Sequence, residues 1–262
     1  MLKDPMETRA TTALPAVGAI RALGPDAVKF LQGQVSNDVA LLRPGETQLA
    51  GLHNVQGRVI ALLRLVLINA DEVLAILPRE LAAPAAARLS KYTLRAKVKV
   101  TDASGEDWAS TFPSSRLAIE GSLGGLPAIA AGIPQVYAAT SEQFVAQMLN
   151  LDVLGGISFT KGCYTGQEVI ARAHYRGKVK RRMQRFRTLT AATLAPGDAG
   201  KLKDGRSFRV VDAVSLADGR CEFLAVAPLA MGQVEEEAAA DAGTATSVLD
   251  AEQLTLPYEL PA

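Results

Sequence analysis

The stretch QLAGLHNVQGRVIALLRLVLINADEVLAILP, residues 48–78, constrains the fold more than any other part of the chain. Its longest apolar run, Val59–Ile68, is interrupted by Arg64 and falls well short of the roughly 20 residues a membrane helix needs. Runs of β-favouring residues this short, cut by the turn sequences Asn54–Gly57 and Asn69–Glu72, predict three strands joined as an antiparallel meander.

The flanking segments supply further elements. VGAIRALG (17–24) reads as a strand, and GPDAVKFLQGQVSNDVALL (24–42) as a helix entered at Pro25, with Ala27, Phe30, Leu31, Gln34 and Val35 at helical spacing. RELAAPAAARLSKY (79–92) is a predicted helix containing Pro84, and RAKVKVTDAS (95–104) alternates like a strand. Strand, helix, three strands, helix, strand is an α+β layer pattern. RLAIEGS (116–122) and AGIPQVY (131–137) suggest a further strand and turn. SEQFVAQMLNLDVLGG (141–156) suggests a helix stopped by Gly155 and Gly156, and GQEVIARAHYRGK (166–178) a helix opening near Gly166. Beyond about Arg187 the turn sequences APGDAG, KDGRS and ADGR separate short strands, as in a small all-β module. The stretch GQVEEEAAADAGTATSVLDAEQ (232–253), acidic and alanine-rich, reads as a loose solvated tail.

A content of 48% hydrophobic and 21% charged residues in 262 describes an ordinary globular chain and argues against disorder. The first residues, with acids and a proline but no apolar core, do not read as a secretory leader. Two distant cysteines, Cys163 and Cys221, give neither a disulfide framework nor zinc spacing, so a reducing cytoplasm is the expected setting. The net charge of +1 hides a local excess. Lys161–Arg187 carries nine basic residues against Glu168, a segment charge of +8 that leaves −7 on the remainder.

Within that segment KGCYTGQE (161–168) places Cys163 between glycines, just ahead of a predicted helix N-terminus. Amide groups and the helix dipole there favour an anion, and Lys161 and Arg172 would add positive potential for a thiolate. The competing reading is a small core residue; Cys221, in the apolar CEFLAVAPL, is read that way. Tyr164 suits either exposure or packing. Gly162 and Gly166 suit backbone geometry, Gln167 and Glu168 a helix first turn. His174 lacks a second ligand at metal spacing and reads as a surface residue, and His53 at a hairpin end as structural. The run RGKVKRRMQRFR (176–187) could meet phosphates, but Val179, Met183 and Phe186 alternate inward and Tyr175 and Phe186 are the only aromatics near it, so direct nucleic-acid binding is disfavoured.

KGCYTGQEVIARAHYRGKVKRR resembles the signature of the YgfZ family, folate-binding proteins of iron–sulfur cluster assembly or repair that are related to the aminomethyltransferase (T-protein) of the glycine cleavage system. The blocks GPDAVKFLQGQVSNDVALLRPGE, LHNVQGRVIALLRLVL, AGIPQV and MLNLDVLGGISFTKGCYTGQE carry the likeness over residues 14–187. It implies an α+β, T-protein-like multi-domain ring around a central folate-binding cavity, with residues 1–187 forming two intertwined lobes and 188–262 a small β-barrel with an acidic tail. It implies tetrahydrofolate as cofactor, with Gly162, Tyr164, Gly166, Gln167, Glu168, Arg172, Asn37 and Asp38 around it, and Cys163 with Lys161 as the functional pair. A carboxylate such as Glu168 or Asp152 would meet the pterin edge, and the cationic segment would suit the anionic glutamate tail. The implied partners are iron–sulfur clients or assembly proteins, through which tRNA modification would be supported indirectly. One departure matters. Where the T-protein hairpin reads Gly-Gly-Ile-x-Asp-Asp, this chain has Gly57, Arg58, Val59, Ile60, Ala61 and Leu62. Without those carboxylates, aminomethyl transfer by that route is not expected. A folate-dependent one-carbon transferase using Cys163, and a tRNA-binding module on residues 172–187, stand as alternatives.

Overall fold

The structure is a computed structural model that describes residues 16–107, 124–177, 179–229 and 248–261. The meander forms as the sequence requires: β2 (Thr47–His53), β3 (Val59–Asn69) and β4 (Glu72–Pro78) pair antiparallel. β1 (Val17–Leu23) joins β4, and β5 (Lys99–Asp102) joins β1, giving a five-stranded sheet of order β2-β3-β4-β1-β5. α1 (Ala27–Gln32) and α2 (Arg79–Ser90, with Pro84 inside) follow their predicted places. Nine consecutive residues of β3, Val59–Leu67, are buried because both faces of the sheet are covered. Leu62, Leu63 and Leu65 lie in the main core, whereas Ala19, Val66, Leu74 and Ile76 form a smaller cluster.

One expectation fails in the middle of the chain: residues 141–156 are not a helix. Only a 3-10 turn at Ala146–Leu149 appears, ended by Asn150 in the left-handed region at φ 58°. The reason is tertiary. Glu142 N donates to Val59 O, Val59 N donates to Phe144 O, and the Ser141 hydroxyl donates to Ile60 O, so this segment is held along β3 instead of coiling on itself. The short helix α3 (Gly125–Ala130) precedes it. The strand expected at 116–122 lies outside the described residues.

The second sheet takes β6 (Arg181–Thr188), β7 (Ala199–Leu202), β8 (Ser207–Ser215) and β9 (Cys221–Pro228). Its edges are β10 (Val248–Leu249), parallel to β7, and β11 (Ala251–Leu254), antiparallel to β6. These edge strands are separated in the chain by Asp250 alone, so the order β10-β7-β8-β9-β6-β11 curls into a nearly closed barrel around Phe186, Phe208 and Phe223. Residues 248–253, read from the sequence as loose tail, are therefore structural; 230–247 lie outside the described residues. No described helix is long and apolar enough to cross a membrane.

Candidate functional site

The signature segment folds as a loop leading into α4 (Gln167–Arg176). Lys161 is buried, and its Nζ donates to three backbone carbonyls at the end of α1 and just beyond it: Gln32 at 2.6 Å, Val35 at 2.7 Å and Asn37 at 2.8 Å. An ammonium has three N–H groups, so each has an acceptor. Burial lowers its pKa to about 8, against an opposing pull from Asp38, and leaves the ammonium the main form at neutral pH. The cation also stands 5.1 Å from the Tyr164 ring. This is a clamp on the loop, and the charge expected to assist Cys163 is spent on the backbone.

The same strap is fastened from other directions. Ser36, fully buried, donates to Gly156 O and accepts from Gly51 N. Asn37 donates to Leu49 O and Gly155 O while its carbonyl oxygen receives Asp38 N. Asp38 accepts from Gln32 Nε2 and Ala40 N, capping the 3-10 turn Val39–Leu41. Asn37 and Asp38, expected at the folate, thus organise the scaffold beside the signature loop.

Gly166 precedes α4 at φ +82°, and a Cβ there would fall 2.5 Å from Asn54 O and 3.0 Å from Gly57 Cα. Only glycine allows both the left-handed backbone and this approach to the β2–β3 turn. Gly166→Ala is expected to destabilise the protein by at least about 2 kcal/mol, read from urea unfolding, because strain and a backbone clash add. Gly162, by contrast, has open space around it and no positive φ.

Tyr164 is buried and its hydroxyl pushed up to about 12 by burial. It faces His53 with ring centroids 6.2 Å apart. His53 is 1% exposed, and burial pulls its pKa down to about 4 against a smaller opposing pull from the Gly57 backbone. Its imidazole lies over Gly51, where a Cβ would come within 2.3 Å of Nε2. The expected structural role of His53 is consistent with this seating. His174 is exposed, as expected, but stacks on Phe159 with centroids 3.8 Å apart.

Cys163 is exposed, and Cys221 is a buried core thiol pushed up to about 11 by burial. The Cys163 sulfur precedes the helix cap by three residues, outside the first turn where the dipole acts strongly. Gln167 is half-buried; Glu168 and Arg172 are exposed along the first two turns of α4. Asp152, the other carboxylate considered for a pterin, is taken: Arg182 donates to both its oxygens, at 2.9 and 2.8 Å, in a buried pair. Arg185 and Arg187 likewise converge on Glu222, itself 1% exposed. Phe186 is buried as well, so the basic run 181–187 is largely internal bracing rather than an open cationic surface.

Two of the surface hollows among the described residues lie away from the signature. One of about 270 Å³ adjoins Gln184, Leu256 and Tyr258. The other, about 350 Å³, lies between α2 and Ile60, Ser141 and Glu142. Neither is lined by residues 159–176. Among the described residues no three His, Cys, Asp or Glu side chains gather into a metal-sized site.

No protein-family model matches the chain. An uncharacterized protein of Haemophilus influenzae is 29% identical over 225 residues, 76% of this chain and 80% of that protein. The tRNA-modifying protein YgfZ of Aliivibrio fischeri is 28% identical over 277 aligned positions, 86% of this chain and 87% of its own length. The protein of the same name in Escherichia coli O45:K1 is 46% identical over 96 residues, 35% of this chain and 29% of that one. The chain is similar to tRNA-modifying YgfZ proteins over most of its length. The chain also shares its fold with glycine cleavage system aminomethyltransferase T from Bartonella henselae, at TM-score 0.61 and 14% identity over 82% of this chain and 77% of that one. Ala61 and Leu62, which stand where the T-protein pattern has its paired aspartates, are fully buried in β3. No carboxylate replaces them within the strand.

Proposed function

We propose that the protein is a tetrahydrofolate-binding accessory factor for iron–sulfur cluster assembly or repair, indirectly supporting tRNA modification, with Cys163 as its working thiol. The observation that carries this reading is the setting of Cys163. An exposed sulfur is held on a loop fastened by Lys161 on one side and by the Gly166 close approach on the other. Structural cysteines are usually buried; this one is presented. A single thiol holds no cluster by itself, since stable clusters take about four ligands, so its ligand role is transient or shared with a partner.

The donor set left for a folate is Gln167, Glu168 and Arg172. A carboxylate suits the pterin's paired N–H edge and a guanidinium the glutamate tail. In the ring arrangement that the family resemblance implies, these residues would border the cavity. Bound folate would supply a one-carbon carrier; the protein residues bind and orient it.

The test has two arms. Titration calorimetry with 5-formyltetrahydrofolate is expected to show saturable binding that Glu168→Ala weakens about tenfold or more. Cys163→Ala is expected to keep that binding and the wild-type melting temperature, yet fail to restore iron–sulfur enzyme activity in cells lacking the protein. Full rescue by Cys163→Ala would remove the thiol from the function. Single-turnover one-carbon transfer from labelled methylene-tetrahydrofolate would instead establish the transferase.

A further inference from the structure

The helix α4 touches the rest of the protein sparingly: among its ten residues only Ile170 is buried. At roughly 100° per residue, Val169, Arg176, Arg172, Glu168 and Tyr175 follow one another around the side away from Ile170. Val169 is 41% and Tyr175 68% exposed. The β2–β3 turn extends this face. A Cβ on Gly57 would lie 3.1 Å from that of Val169, and Val55 in the same turn is 68% exposed. Arg58, also exposed, follows Gly57. Among the described residues the face therefore combines three apolar groups with the cations Arg172 and Arg176 against Glu168, while Arg58 beside it turns its guanidinium to the Gln143 carbonyl. The loop carrying Cys163 borders it, because the Gly166 cap rests on the same turn.

Single exposed apolar side chains are ordinary, but apolar groups gathered beside a presented thiol mark a contact surface. Its charge selects the occupant. A second copy would set like charges opposite each other across a twofold axis. A nucleic acid would use the two α4 arginines and Tyr175, but it gains nothing from Val55 and Val169, and Arg182, Arg185 and Arg187 are turned inward.

We infer that this face docks a protein partner whose matching surface is apolar and acidic, bringing it to the Cys163 sulfur. The inference rests on the accessory reading above and names the kind of partner that reading requires. The partner chemistry is complementary in both respects: apolar contact excludes water at Val55 and Val169, and carboxylates answer the arginines.

The test uses the full chain in cells lacking it. Val55→Glu with Val169→Glu, and separately Arg176→Glu, are expected to reduce restored iron–sulfur enzyme activity at least about tenfold. Folate affinity, melting temperature and Cys163 alkylation rate of the purified variants are expected to stay at wild-type values. A photo-crosslinking benzoylphenylalanine at position 169 is expected to capture acidic, apolar peptides of iron–sulfur proteins, a signal lost with Arg176→Glu and absent from the same probe at exposed Leu94. Full rescue by both charge variants, or crosslinks at 169 only to RNA or to a second copy, overturns the inference. If that rescue accompanies failure by Cys163→Ala, the docking face falls and the thiol reading stands. Rescue by Cys163→Ala removes both.

Discussion

Replacing Lys161 with methionine is expected to lower the free energy of unfolding by about 3–5 kcal/mol, comparable to breaking a buried ion pair. The methionine stem fills the same volume, so the loss isolates the ammonium. Three carbonyls, of Gln32, Val35 and Asn37, lose their common donor at once, and each buried acceptor left unsatisfied costs about 1–3 kcal/mol before relaxation. Lys161→Arg is expected to recover little, since a planar fork cannot reproduce three convergent bonds from one atom. Urea denaturation measures the loss, and hydrogen exchange is expected to place the loosening at residues 32–38 and 158–166. Wild-type stability in Lys161→Met would show that the clamp is incidental.

The second large effect concerns acid. Unfolded, an imidazole titrates near 6.5, whereas folded His53 titrates at about 4. Above 6.5 both states are neutral and its contribution is complete. As the pH falls from 6.5 to 4, only the unfolded chain takes up the proton, and stability drops by about 3 kcal/mol. Asp212 works in the opposite sense. It is buried on β8, receives the Tyr137 hydroxyl at 3.1 Å and the Ala213 amide, and burial raises its pKa from 3.8 to about 7. Its contribution is complete below 3.8 and is lost as the pH rises to 7, by about 4 kcal/mol. Tyr137 and Tyr164, whose hydroxyls burial pushes upward, and Cys221, pushed to about 11, do not ionise in this window. The two buried groups therefore offset each other in wild type. Relative to wild type, Asp212→Asn is expected to become steeply acid-labile between pH 7 and 4, and His53→Leu to gain stability over the same interval. Parallel pH profiles of unfolding free energy for all three proteins would refute the opposition.

The meander was legible because its signal is local: β-favouring runs of strand length between two turn sequences admit few other readings. The helix expected at 141–156 was not, because its periodicity is real but the first residues of β3, which β4 does not reach, compete for the same backbone groups. The signature loop was visible as a motif, and its glycine at 166 as a turn residue. What escaped was the spending of its charges. Lys161 finds acceptors 124–129 residues away on backbone carbonyls, which no side-chain pattern announces. Likewise, Arg185 and Arg187 look like a surface run until the β6–β9 register sets Arg187 opposite Glu222. Cys163 between its glycines suited either exposure or the core, and the structure decides for exposure, whereas the approach of Val169 to Gly57 depends on a turn meeting a helix from a distant part of the chain.

The barrel's two flanking strands hang from one short piece of chain with Asp250 at its middle. Proteolysis just upstream of Val248 would release both selvedges of the sheet together, baring β6 and β7 as templates for chain-to-chain zippering. Residues 248–254 thus act as a fastener whose removal turns a self-contained module into a sticky one.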